Sequence, residues 1–190
     1  MSELLIAVLV LGGLVIVLGF MGIGAYNRLV SLKNRMKNAW AQIEVQLKRR
    51  HDLIPNLVET VRGYAGHEKT TLEGVVQARN QAIQASGGGA GRQAQAESML
   101  TAALGKLMVL TEAYPDLKAN QNFLGLQEEL TSTENKIGFA RQAHNDAVLQ
   151  YNATLESFPT NLIGGAFQFR SADFFEIGAP AEREVPKVQF

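Results

Sequence analysis

Cysteine is absent from this 190-residue chain, so neither a disulfide framework nor thiol chemistry is open to it. Proline is scarce, with five in all, and a single tryptophan stands at Trp40. An excess of charge is missing too: 18 basic residues balance 18 acidic ones, which removes the general electrostatic case for nucleic acid as a partner. The sharpest absence is local. From Leu4 to Ala25 there is no ionisable side chain, only Leu, Ile, Val, Ala, Gly, Met and Phe. As a helix those positions reach about 33 Å, against a hydrocarbon core of roughly 30 Å. A soluble core helix rarely stays apolar on every face for that length, so the stretch reads as a transmembrane helix. Its glycines are ordinary in that setting.

A cleaved signal peptide is the rival reading. It needs a basic start, an apolar stretch of about 7 to 15 residues and a small-x-small site. Here Glu3 is the one ionisable side chain ahead of the run, and the run is too long. Cations gather beyond it: Arg28, Lys33, Arg35 and Lys37, then Lys48, Arg49 and Arg50, opposed locally by Glu44. Lys and Arg beside a span are retained on the cytoplasmic side. The expectation is a short N-terminus outside and the rest of the chain in the cytoplasm. The four membrane-proximal cations have two readings. They are topology determinants on solvated faces, or they meet anionic headgroups at about 1 kcal/mol each.

After the span, apolar side chains recur at Leu29, Leu32, Met36, Trp40, Ile43, Leu47, Ile54, Leu57, Val61 and Tyr64. Steps of three and four are the spacing of one helix face. The missing rung falls at Arg50. Pro55 removes one backbone bond and frees the carbonyl of His51, but the stripe resumes at once, so a kink is expected rather than an end. A second helix, capped by Thr70 or Thr71, is expected to run to about Ala85. The glycine-rich run from Ser86 to Gly91 reads as a hairpin connection. A third helix is expected over Arg92 to Tyr114, with Met99, Leu100, Ala103, Leu104, Leu107, Leu110 and Tyr114 inward, ending at Pro115. The fourth stripe is the most regular: Phe123, Leu126, Leu130, Thr133, Ile137, Ala140, His144, Ala147 and Tyr151, with Pro159 beyond it.

The fold class that follows is all-α: a transmembrane helix continuing into a long-helix antiparallel four-helix bundle, then an irregular tail. The expected divisions are 1–3 outside, 4–25 in the membrane, 26–158 as the bundle and 159–190 as the tail. That tail carries Leu162, Ile163, Phe167, Phe169, Phe174 and Phe175, too many apolar groups for a solvated segment. They have three places to pack: the bundle, the membrane surface or a neighbouring subunit.

Catalytic constellations are not evident. His51, His67 and His144 lack the spacing of a helical zinc site. The glycine cluster at 87–91 lacks both the preceding strand and the Lys-Ser or Lys-Thr of a phosphate loop. No serine sits in a nucleophile elbow. No cofactor, metal or small-molecule substrate is therefore expected. Two polar clusters remain. In the first, Arg49, Arg50, His51, Asp52, Pro55 and Asn56 mix charge with the proline. Pairing of Asp52 and one arginine with a neighbouring helix, fixing its register, is the first reading, and docking of a partner protein the second. In the other, Glu134, Arg141, Asn145 and Asn152 line the fourth helix as candidates for hydrogen bonds to the first.

These residues carry a resemblance. Tyr26-Asn27, the run Asn38 to Ile43, Val45 to Val58, Tyr114-Pro115-Asp116-Leu117-Lys118-Ala119-Asn120, Glu134 to Ile137, Arg141 to Asn152 and Phe158-Pro159 together resemble the bacterial LemA family. One departure is that His144 stands beside Asn145 where the family pattern has Tyr-Asn. The resemblance implies a single N-terminal span in a bacterial inner membrane, a cytoplasmic bundle and no known enzymatic activity. The expected function is a membrane-anchored scaffold or adaptor, whose partners are the lipid bilayer and either another protein or further copies of itself. The alternative is a laterally assembling homo-oligomer that shapes or organises the membrane.

Overall fold

The computed structural model describes residues 2–176, and every regular element in that range is helical: α1 (Ser2–Tyr64), α2 (Lys69–Ala85), α3 (Ala90–Thr111), α4 (Pro115–Lys118), α5 (Gln121–Glu156) and α6 (Thr160–Ala166). The apolar run and the stripe that follows it form one unbroken helix, α1. The chain divides into two compact units, Met1–Ala39 with His144–Ala172, and Trp40–Ala143 with Asp173–Phe190.

The second unit is an antiparallel four-helix bundle built from short connections. Its main core takes Ile54, Leu57 and Val61 from α1, Leu72, Val75 and Ala82 from α2, Leu100 and Leu107 from α3, and Phe123 and Leu130 from α5. Leu117 of α4 plugs the same core, fully buried. A smaller cluster joins Ile43, Leu47, Ala94, Ile137 and Phe175. The stripes predicted for α1 and α5 are thus the buried faces, except at Tyr64, which is 45% exposed.

The Tyr114–Asn120 run folds as a corner with four jobs. The Tyr114 hydroxyl donates to Glu68 Oε1 at 3.3 Å. Pro115 takes the first position of α4, where a missing N–H costs nothing. Leu117 supplies the plug. Asn120 caps α5, its Oδ1 accepting the Phe123 N–H at 3.0 Å, while its Nδ2 donates to the Tyr64 hydroxyl at 2.9 Å. Partial desolvation, then the neighbouring Glu68 carboxylate, raises the pKa of the Tyr114 phenol.

Three expectations for this unit change. α2 begins at Lys69 behind Glu68, and no side chain caps it, so neither Thr70 nor Thr71 does. The glycine-rich connection is shorter than expected, because Ala90 and Gly91 already belong to α3. Gly87 and Gly89 turn it at φ +81° and +92°, the left-handed region that glycine enters without strain. Met99 is 52% exposed, not inward, because the buried line of α3 runs Gln93, Glu97, Leu100, Leu107 and Thr111.

In the first unit, Leu29, Leu32 and Tyr151 form a buried cluster with Met36, Leu155, Phe169 and Ala172 against it. Burial raises the pKa of the Tyr151 phenol, whose hydroxyl donates to the Arg170 carbonyl at 2.9 Å. The tail, expected to be irregular throughout, opens with the short helix α6 and is without regular structure from there to residue 176; the rest of that expectation lies outside the described residues. Gly164 allows α6 to close on α5, since a Cβ there would collide with Leu155.

Pro55 sits inside α1 without ending it. Its missing N–H leaves the His51 carbonyl unpartnered within the helix, and Arg79 of α2 supplies the donor, Nε to oxygen at 2.7 Å. Arg79→Ala is expected to destabilise the chain by about 1–3 kcal/mol, the cost of orphaning a buried acceptor. In a Pro55→Ala background, where the backbone N–H at that position is restored as the helical donor, the same substitution should cost clearly less. Urea unfolding in mild detergent, followed by circular dichroism, measures both; equal costs in the two backgrounds would refute the pairing.

Candidate functional site

The gap in the α1 stripe is filled by Arg50 itself, which is only 2% exposed. A guanidinium cannot lose its charge, and carrying it out of water costs several kcal/mol unless opposite charge and hydrogen bonds meet it. α3 meets it with Glu97, which is 0% exposed. Arg50 Nη1 lies 3.6 Å from Glu97 Oε2 and 3.1 Å from Glu134 Oε2 of α5. Arg50 Nη2 donates to the Thr101 hydroxyl at 2.7 Å, and that hydroxyl donates to the Glu97 carbonyl at 3.0 Å.

The other oxygen of Glu97 is held by two further groups. His51 Nε2 lies 2.9 Å from Oε1, and opposite an ionised carboxylate it donates. Gln93 Nε2 donates to the same oxygen at 2.8 Å and to the Ala82 carbonyl of α2 at 3.2 Å. One carboxylate thus gathers side chains from α1 and α3, and its neighbours reach α2 and α5. The arrangement is a cross-brace between four helices, in which Arg50 Nη1 and Glu97 Oε2 meet as an ion pair without a hydrogen bond and Gln93 Oε1 accepts none.

A groove of about 400 Å³ opens beside it, lined by Trp40, Leu47, His51, Ile83 and Gln93 among others. The Trp40 indole donates to Glu44 at 2.8 Å, and its ring meets Phe175 edge-on, centroids 5.5 Å apart. A larger groove of about 640 Å³ lies on α1 and α5, between Val45 and Phe139, which are 63% and 73% exposed. Among the described residues no three His, Asp or Glu side chains converge as metal ligands do.

The predicted polar residues separate into groups. Arg50 and His51 enter the core, and Glu134 reaches α1 through Arg50. Arg49 also reaches α5, by an ion pair with Glu129. Asp52 does not bridge helices as expected: it pairs with Lys48 one turn back at 2.5 Å, both groups exposed, and that contact holds its carboxyl below its ordinary pKa. Pro55 and Asn56 face solvent, and the Asn56 carbonyl accepts the Thr60 hydroxyl at 2.8 Å. Arg141 is half-buried and forms no ion pair among the described residues. Asn145 is half-buried. Asn152 binds Ala172 rather than α1: its side-chain amide donates to that carbonyl and accepts from that N–H, both at 2.9 Å. Of the four membrane-proximal cations, Arg35 donates to Gln150 at 3.3 Å, Lys33 lies 5.5 Å from the centre of the Phe169 ring, and Arg28 and Lys37 are exposed.

Sequence reasoning missed Gln93 and Glu97. Their signal was present: polar residues at stripe positions of α3, of which Glu97 is opposite in charge to the arginine at a stripe position of α1.

The LemA family model matches residues 39–190, most of the chain. The chain belongs to the LemA family. Protein LemA of Metamycoplasma hominis is 24% identical over 157 residues, covering 83% of this chain and 71% of that protein. Magnetosome protein MamQ 2 of Paramagnetospirillum magneticum is 23% identical over 175 residues and 80% of this chain. Magnetosome protein MamQ of Magnetospirillum gryphiswaldense is 22% identical over 174 residues. This chain spans 64% of the length of each of these MamQ relatives. The match to the LemA family model takes in the Arg50–His51 and Gln93–Glu97 pairs and the Tyr114–Asn120 corner, whereas Tyr26-Asn27 and Asn38 stand ahead of it.

If the cross-brace sets register, its members are coupled. Arg50→Met alone should cost about 3–5 kcal/mol by stranding Glu97, and Glu97→Gln alone should cost a similar amount. The double variant should cost less than the two together by more than about 1 kcal/mol, outside the range of independent sites. Additive losses in urea unfolding would show that the two groups do not act as a pair.

Proposed function

We propose that this LemA-family protein is a non-enzymatic scaffold held in a bacterial inner membrane by the first part of α1, with its N-terminus outside and its bundle in the cytoplasm. The observation that carries the reading is the state of that helix. Leu4, Leu9, Leu14 and Leu18 are 75%, 66%, 53% and 56% exposed, although nothing charged accompanies them. Such a surface is tolerable in lipid and costly in water. It is long and apolar enough to cross a membrane. Sidedness follows from Arg28, Lys33, Arg35 and Lys37, which all lie after the apolar run.

The scaffold reading draws on the cross-brace, which engages Arg50, His51 and Glu97 with one another inside the bundle, and on the name borne by the MamQ relatives, magnetosome protein. A second reading, lateral self-assembly, draws on the groove between Val45 and Phe139, large apolar side chains left in solvent. For either, the membrane-bound partners are the bilayer and a protein surface.

Two measurements test this. In intact cells an impermeant maleimide should label Ser2→Cys and spare Gln84→Cys, with labelling of Gln84→Cys appearing after lysis. The absence of native cysteine keeps both readings clean. Labelling of Gln84→Cys in intact cells would reverse the topology, and recovery of the chain in the soluble fraction would remove the anchor. In mild detergent, native mass should exceed that of one chain in its micelle, through a stoichiometric partner or further copies. A monomer alone would sink the scaffold. Phe139→Glu with Val45→Glu should reduce the particle if copies associate through that groove, at little cost in stability because both side chains are exposed.

A further inference from the structure

The unit formed by Met1–Ala39 and His144–Ala172 contains an apolar face that its own packing leaves uncovered. Phe158, Leu162 and Phe167 are 79%, 63% and 61% exposed, although they flank or lie within a helix held tightly against its neighbours. The inward side of α6 is satisfied: Gly164 lies under Leu155, and a Cβ built on Gly22 would meet Ile163 Cδ1 at 3.5 Å, ordinary van der Waals contact. The Tyr26 ring then meets Phe167 at a tilt and Phe169 edge-on, centroids 4.8 and 5.8 Å away.

These contacts fix where α6 lies along α1. With the apolar run centred midway between Leu4 and Ala25, Gly22 stands about 11 Å from the centre and Tyr26 about 17 Å, at 1.5 Å per residue. The edge of a 30 Å hydrocarbon core, about 15 Å from its centre, falls between them. Ile163 touches the helix just inside that edge, and Phe167 just outside it. Aromatic side chains are favoured at this depth, and so are short helices that turn an apolar side to the acyl boundary. The charges of the unit agree. Arg28, Lys33, Arg35, Lys37 and Arg170 face Asp146 and Glu156 as the only carboxylates beyond the apolar run. That balance suits anionic headgroups.

We propose that α6 is a second membrane contact, with Phe158, Leu162 and Phe167 seated in the headgroup–acyl boundary of the bilayer that α1 crosses. The inference rests on the reading of α1 as a span. It assigns part of the apolar tail to lipid, whereas Phe169 and Phe175 pack within the protein.

The test uses the full chain in vesicles of phosphatidylethanolamine and phosphatidylglycerol, with a nitroxide at one introduced cysteine. Leu162→Cys and Phe167→Cys report the face, Leu14→Cys the span, and Gln84→Cys exposed protein in water. The collision ratio of oxygen to a water-soluble nickel chelate is read at each. At 162 and 167 it should shift from the Gln84 value toward the Leu14 value. Ratios at the Gln84 value, with Leu14 still lipid-like, overturn the α6 contact and leave the span. A water-like Leu14 overturns the span reading itself. Low collision with both agents at 162 and 167 means that protein covers the face, and also overturns the inference. Leu162 makes no ring contact, so its variant decides even where loss of the Phe167 ring disturbs the turn.

Discussion

A permanently charged guanidinium in the middle of a bundle is a constraint from which much else in this protein follows. Arg50 occupies a position where the stripe of α1 demands an apolar side chain, and it cannot escape its charge by deprotonation. The register of the neighbouring helices is one that brings Glu97 and Glu134 within reach and leaves Thr101 to take a hydrogen bond. Sliding α3 by one turn would carry Glu97 about 5.4 Å from Arg50 and leave Glu134 of α5 as the carboxylate that still meets the guanidinium. Hydrophobic stripes alone are more forgiving, because Leu and Ala interchange along them at modest cost. A buried ion pair of this kind adds little net stability over a well-packed apolar replacement, whereas removing one partner is costly.

Pro55 works by the same logic on the backbone. A proline inside a helix exposes one carbonyl, and this fold answers with a side chain from α2 instead of water. Arg50, His51 and Pro55 thus tie α1 to α3, α5 and α2 within a turn and a half of helix. The most polar stretch of the first helix is its most constrained.

Most of the fold was legible in the sequence, since the apolar periods of α1 and α5 are long and nearly free of error. The stripe on α5 from Phe123 to Tyr151 predicted the face that is buried. What was illegible has physical reasons. The stripe of α3 begins in Gln93 and Glu97, so a search for apolar side chains starts too late and assigns Met99 inward. Asp52 was paired across helices because the sequence does not show that Lys48, four residues back, already satisfies it. Asn152 was turned toward α1 because nothing in the sequence marks Ala172 as returning beside it. The aromatic tail was the hardest to place. Of its six apolar groups, Ile163, Phe169 and Phe175 pack within the protein, whereas Leu162, Phe167 and Phe174 keep exposed surface, and contacts as specific as Tyr26 on Phe169 make the difference.

The buried cluster shares one pairing with acid–base sites and differs from them in how its groups are engaged. His51 and a carboxylate at 2.9 Å is a pairing that acid–base catalysis uses, but there the partner of the histidine must be substrate or a nucleophile. Here Glu97 is wholly enclosed, its Oε1 accepts from His51 and Gln93, and the nearby Thr101 hydroxyl is committed both as donor and as acceptor. The groove beside it reaches His51 and Gln93 from outside. A molecule entering there meets side chains already oriented toward the protein. Turning either outward would break the brace that keeps Arg50 in the core. The same hydrogen bonds thus hold His51, Gln93 and Thr101 toward the interior of the bundle.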